Sequence, residues 1–201
     1  MEKFEKAIQI FKENKGIMRT AEALDAGIAP KTLYSMRDQG VLIRLSRGIY
    51  KLAEAPPLGN PDLIPVALRV PNAVFCLITA LDFHNLTEQI PQFVYFALPQ
   101  GARRPKIHYP PINIIWPSIK IYEVGIQEVI LDNIPVKIYN PEKTITDCFK
   151  YRNKFGLDVA IDALKNYIDQ PNNKKFFNTL FHYAKFNRVE RIITPYIEAL
   201  I

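Results

Sequence analysis

The chain has 201 residues, enough to bury the core of one or two domains. Hydrophobic residues make up 48% and charged residues 23%, near average globular usage, which excludes a disordered or collagen-like chain. With 26 Lys and Arg against 20 Asp and Glu the net charge is +6, and two cysteines, Cys76 and Cys148, are too few for a disulfide scaffold or a multi-cysteine zinc site.

The N-terminal MEKFEKAIQIFKENK is charged throughout and has no apolar signal core. Within it Phe4, Ala7, Ile8 and Phe11 recur at helical spacing, predicting an amphipathic helix up to a break at residues 14–16. A second short helix is expected from Thr20, as N-cap, to Ala26, with Gly27 closing it. Pro30 suits the first turn of a third helix ending at Gly40. The period then changes to two. Residues 41–45 and 49–52 read as strands joined by Ser46-Arg47-Gly48, where glycine can take the positive φ of a tight turn. Three helices and a hairpin within about 55 residues match the layout of a winged helix-turn-helix.

Residues 53–62, AEAPPLGNPD, carry Pro56, Pro57, Gly59 and Pro61 and exclude both helix and central strand. The expected organisation is a DNA-binding domain over 1–54, a linker over 55–62 and a second domain over 63–201. Charge agrees with this division: residues 1–55 hold 10 basic and 7 acidic side chains, residues 56–149 hold 7 and 8, and residues 150–201 hold 9 and 5. The second domain is predicted as α+β, an antiparallel sheet flanked by helices. Helices are expected at 62–69 and 76–84, and strands at 92–98, 112–116, 120–124, 127–131 and 135–139, with turns at Gly125 and Asp132-Asn133. Helices follow at 141–151, 157–168, 172–184 and 188–199. The longest apolar run, residues 73–81, contains Thr79 and falls far short of the roughly 20 residues of a membrane span. A reducing, cytoplasmic setting is the expectation.

On the third helix Leu33 and Met36 share one face and should lock onto the first two helices. Lys31, Tyr34, Ser35 and Asp38 then point outward, with Thr32 and Arg37 on the flanks. Such a face can enter a major groove, so Lys31, Thr32, Tyr34 and Ser35 are the candidates for base edges. Arg19 and Thr20 open the second helix, whose free N–H groups favour a phosphate. These two, with Arg37, Arg44, Arg47 and Lys51, are the candidates for the DNA backbone or minor groove. Asp38 counts against this face, since a carboxylate there repels phosphate.

The order of these segments resembles the AbiEi family, antitoxins of abortive-infection toxin–antitoxin systems. The family's N-terminal domain ends in Gly-x-Leu/Ile-x-Arg-x-x-Arg-Gly-x-Tyr, and this chain reads Gly40-Val41-Leu42-Ile43-Arg44-Leu45-Ser46-Arg47-Gly48-Ile49-Tyr50. Thr79-Ala80-Leu81-Asp82-Phe83-His84-Asn85-Leu86-Thr87 is similar to a second family segment, and Asn140-Pro141-Glu142-Lys143-Thr144-Ile145-Thr146-Asp147 to a third. Asn85 stands where glycine is usual, and asparagine also tolerates a left-handed cap. Lys143 stands where arginine is usual, keeping charge without the bidentate fork. The resemblance implies an autorepressor that binds inverted repeats in double-stranded operator DNA. It also implies antitoxin activity against a nucleotidyltransferase toxin of the AbiEii type, assigned to the C-terminal domain, often without a stable complex.

Read physically, Asn140 fits an N-cap, Pro141 the first helical position and Glu142 the favourable end of the helix dipole. Lys143 and Asp147 are spaced to pair on the helix surface, while Ile145, Cys148 and Phe149 face inward. His84, His108 and His182 lack metal-ligand spacing, the glycines form no phosphate loop or dinucleotide fingerprint, and no nucleophile–base pair stands out. No cofactor, metal or enzymatic activity is expected. Arg103, Arg104 and Lys106, followed by His108, Tyr109 and Trp116, suit either single-stranded nucleic acid or a partner protein, or else form a solvated loop with core aromatics beyond it. The tail carries basic residues (172–175, Lys185, Arg188, Arg191) and a helical stripe of Phe176, Phe177, Leu180, Phe181 and Ala184, read as core. Two other function classes fit: a partner-docking protein that sequesters a toxin without binding DNA, and an RNA- or nucleotide-binding C-terminal domain.

Overall fold

The computed structural model describes residues 2–132, 134–171 and 177–200. Asn133 of the expected turn, and residues 172–176 with the start of the helix expected at 172, lie outside them. The fold is α+β and divides into two compact units, residues 1–71 with 130–135, and residues 72–129 with 136–201.

In the first unit α1 (Glu2–Glu13) buries Ala7 and Phe11, with Phe4 and Ile8 packed beside them. It stops at Lys15 and Gly16, both at positive φ, where the Gly16 amide reaches back to the Phe11 carbonyl at 2.7 Å. A strand the periodicity does not foretell follows, β1 (Ile17–Arg19). Then come α2 (Thr20–Asp25), α3 (Pro30–Asp38), β2 (Leu42–Ser46) and β3 (Ile49–Leu52). The sheet order is β1-β3-β2 and both pairings are antiparallel, so β3 is the central strand and all four of its residues are buried. The unit continues past residue 54. Helix α4 (Leu63–Arg69) contributes Ile64, which packs on Ile17 and Ile49, while the Gly59 amide donates to Asp132 at 3.0 Å.

The second unit contains β4 (Val74–Phe75), α5 (Leu77–Phe83), β5 (Val94–Ala97), β6 (Ile112–Ile115), α6 (Ile119–Tyr122) and most of β7 (Ile126–Leu131) and β8 (Ile134–Tyr139), whose residues 130–131 and 134–135 belong to the first unit. The expected strand over 120–124 is a correction: residues 120–122 lie in a helical turn that opens after Pro117-Ser118, and residues 123–124 turn the chain into β7. The sheet, ordered β6-β5-β4-β8-β7, is mixed rather than antiparallel, because β4 pairs parallel with β8 and β5 parallel with β6. The reason lies in the connections: β4 meets β8 from about 60 residues away and β5 reaches β6 through the long stretch of residues 98–111, and connections of that length permit parallel neighbours that hairpins do not. Asn85 closes α5 at φ 56°, the left-handed geometry that glycine would otherwise supply, and the Leu86 amide bonds the Leu81 carbonyl at 2.8 Å.

Helices α7 (Pro141–Lys150), α8 (Arg152–Phe155), α9 (Leu157–Asp169), α10 (Phe177–Phe186) and α11 (Glu190–Leu200) complete the unit. Asn140 caps α7, its side chain accepting the Lys143 amide at 2.8 Å, and Pro141 follows as expected. The surface pair expected of Lys143 and Asp147 is corrected. They do pair, at 2.5 Å, but each is only 1% exposed, because α5, α9, α10 and α11 all pack on α7 and leave it no solvent face. Leu180 and Ala184 of the tail stripe are buried, with Phe177 and Phe181 packed against the same core.

The buried polar groups of α7 are hydrogen-bonded to each other and to their neighbours. Lys143 Nζ donates to both Asp147 oxygens and lies 4.4 Å from the centre of the Tyr139 ring. Asn187 donates to Asp147 at 2.8 Å and to Thr146 at 2.9 Å, and Tyr167 donates to Glu142 at 2.7 Å. The Lys143 stem also explains Gly125, at φ 79°, where a Cβ would come within 2.7 Å of Lys143 Cβ. Burial raises the Cys76 and Cys148 thiols, which keeps both protonated and unreactive. Burial lowers the pKa of His84, whose Nε2–H donates to the Tyr139 carbonyl at 2.8 Å. These groups form a core network rather than an open site.

Candidate nucleic-acid interface

Helix α3 is held by one side. Leu33 and Met36 are fully buried among residues of α1, α2 and the sheet, which fixes the rotation of the helix about its axis. Pro30 occupies the first turn, and Gly40, at φ 74°, ends the helix as its amide meets the Arg37 carbonyl. With those two anchors inside, Lys31 and Tyr34 are exposed, Tyr34 to 43%, while Thr32 and Ser35 are half-buried on the flanks. Gln39 donates to Ser35 Oγ at 3.0 Å, leaving the Ser35 hydroxyl proton available to an acceptor.

Asp38 does not stand as an isolated carboxylate. Arg37 donates to it through Nε and Nη2, at 2.8 and 2.6 Å, and the same guanidinium lies 5.3 Å over the Tyr34 ring. The hydrogen bonds to Asp38 raise the Arg37 pKa, and the guanidinium partly offsets the repulsion expected of this carboxylate. It also engages Arg37 within its own helix.

The hairpin presents two of its three expected cations. Arg44 and Arg47 are exposed, and Gly48 turns the chain at φ 78°. Lys51 is a correction: it lies on the central strand, is 6% exposed, and its ammonium donates to the carbonyls of Ala55 and Leu52 at 2.6 and 3.3 Å. The start of α2 is corrected too. Its N-cap is Arg19, and two of the N–H groups at this end already have partners within the protein. The Arg19 amide donates to Glu22 at 2.7 Å and the Thr20 amide to the Gly48 carbonyl at 2.9 Å. The Arg19 guanidinium stays near the surface, 3.7 Å from Glu22.

One cation near the hairpin is absent from the sequence reading. Arg69, at the end of α4, donates through Nη1 to the Arg47 carbonyl at 2.8 Å. Only its position at the end of a short apolar helix marked it, and that helix was assigned to the second domain.

In the second unit Arg103, Arg104 and Lys106 are exposed on the loop before β6. The aromatics beyond them are not core: Tyr109 is 68% exposed, and Trp116 is 38% exposed with its indole N–H on the Ala102 carbonyl. Among the described residues no helix is long and apolar enough to cross a membrane.

Residues 5–53 match the model of a family described as transcriptional regulator, AbiEi antitoxin. The match ends one residue beyond β3 and thus takes in α3 and the whole three-stranded sheet. No curated protein matches the chain.

Proposed function

We propose that this chain, whose residues 5–53 match the model of the AbiEi antitoxin transcriptional-regulator family, binds duplex operator DNA through a winged helix-turn-helix and represses its own operon. Helix α3 supports this most strongly: Leu33 and Met36 fix it from behind, Lys31 and Tyr34 are exposed on its outward side, and Thr32 and Ser35 are half-buried on its flanks. A helix displayed in this way fits a major groove, with its early residues at base edges. The wing is β2 and β3, whose Arg44 and Arg47 supply phosphate or minor-groove contacts. Residues 1–54 are the reading module, and α4 supports it from the other side of residues 55–62. On this reading the chain binds rather than catalyses, and it works in the cytoplasm, where the operon lies. Its second domain counteracts a nucleotidyltransferase toxin of the AbiEii type, by contact or otherwise.

Gel shifts on the chain's own upstream DNA over a salt series test this. Arg47→Ala is expected to weaken binding to every duplex and to lower the salt slope by about one, as loss of one phosphate contact requires. Ser35→Ala should instead change which sequence is preferred, with the slope unmoved. An unchanged slope in Arg47→Ala removes that residue from the interface.

A second reading concerns the loop of the second unit, where exposed Tyr109 and Trp116 accompany Arg103 and Arg104. Aromatic faces beside guanidinium groups suit unpaired bases. The paired substitution Arg103→Ala and Arg104→Ala in the full chain should then weaken RNA binding about tenfold or more while leaving duplex DNA binding unchanged. Equal RNA affinity in both proteins would dismiss it.

A further inference from the structure

Beside the hairpin turn the first unit holds an open depression of about 260 Å³, and three arginines line it: Arg19, Arg47 and Arg69. Gly48 and Pro71 form parts of its wall and bring no charge. An anion seated in so small a space is attracted by all three guanidinium groups. Glu22 offsets Arg19 from 3.7 Å, and its other oxygen already accepts the Arg19 amide. Arg19 Nε is buried and has no acceptor among the described residues, an unsatisfied donor beside the depression. The Arg69 fork is held at the rim by its bond to the Arg47 carbonyl, so α4 and the hairpin present their cations together.

We propose that this depression is a phosphate-binding subsite. Guanidinium forks match the paired oxygens of a phosphate group, and charge-assisted bonds of this type are about twice as strong as neutral ones. The source of the phosphate rests on the duplex reading above: a phosphodiester of the DNA backbone is seated beside the wing. Arg69 lies outside the family match, so the subsite extends the duplex footprint beyond residues 5–53.

The test uses the full chain, a labelled mixed-sequence duplex of about 30 base pairs, and salt from about 50 to 200 mM. Arg69→Ala should lower the salt slope by about 0.9 and weaken binding about five- to tenfold at low salt. Arg69→Lys, which keeps the charge and loses the fork, should hold the slope and bind more weakly than the parent; its circular dichroism melt shows whether α4 still folds. In parallel, inorganic phosphate is titrated while the Arg Nε–Hε resonances are followed by NMR. Loss of slope in Arg69→Ala with retained folding supports the subsite and its DNA source. Shifts of the Arg19 and Arg47 resonances with phosphate, and no salt-dependent duplex binding by the parent chain, support the subsite with a free phosphate as ligand and end the duplex reading. A parent slope that Arg69→Ala leaves unchanged, with no resonance moved by phosphate, overturns the subsite and leaves the duplex reading standing.

Discussion

Asp147→Ala is expected to cost about 3–5 kcal/mol in urea denaturation, because it strands the Lys143 ammonium inside the protein. Lys143 is 1% exposed and donates to both Asp147 oxygens, so removing the carboxylate leaves a buried charge that water cannot reach. The Tyr139 ring, 4.4 Å away, offsets only part of that penalty. Against a typical total stability of about 5–15 kcal/mol, such a loss leaves little fold. The double substitution Lys143→Met and Asp147→Leu separates the pair's net worth from the cost of breaking it. It should come within about 1–3 kcal/mol of the parent, the remainder arising from Asn187, whose amide loses its bond to Asp147. A cost below about 1 kcal/mol for Asp147→Ala would mean that water solvates this pair.

Leu33→Ala is expected to cost about 2–5 kcal/mol by opening a cavity behind α3. Leu33 is fully buried, and it packs in the cluster that joins α1, α2, α3 and the sheet. Duplex affinity should fall with it, since the helix loses the rotation that turns Lys31 and Tyr34 outward. Lys31→Ala provides the contrast: its side chain is exposed, so stability should stay within about 0.5 kcal/mol while duplex binding falls. Thermal unfolding and anisotropy on the same two proteins make the comparison. Equal affinity in Lys31→Ala and the parent would take this residue off the interface.

Much of α3 and the hairpin was legible because each displays its period within a few residues. Leu33 and Met36 mark one helix face, and the strands of the hairpin flank a glycine turn. What escaped was set by contacts distant along the chain. β1 has three residues, too few to show a period, and it exists because β3 offers it an edge. That same pairing makes β3 central and buries Lys51, which looked like a surface cation on a hairpin. The parallel pairing of β4 with β8 joins residues about 60 positions apart, which no local pattern records. Spacing paired Lys143 with Asp147 correctly, but their burial depends on four helices drawn from both sides of α7 in the chain. Arg69 escaped for the same reason, because only folding brings α4 to the hairpin.

Contact between the outward side of α3 and duplex DNA can be followed residue by residue, by titrating the upstream duplex into the isotope-labelled full chain and recording backbone amides by NMR. The largest shifts are expected on Lys31, Thr32, Tyr34 and Ser35 and on Arg44 and Arg47 of the hairpin. Saturable binding of the duplex with the amides of Lys31 to Ser35 unmoved would place the DNA elsewhere on the chain.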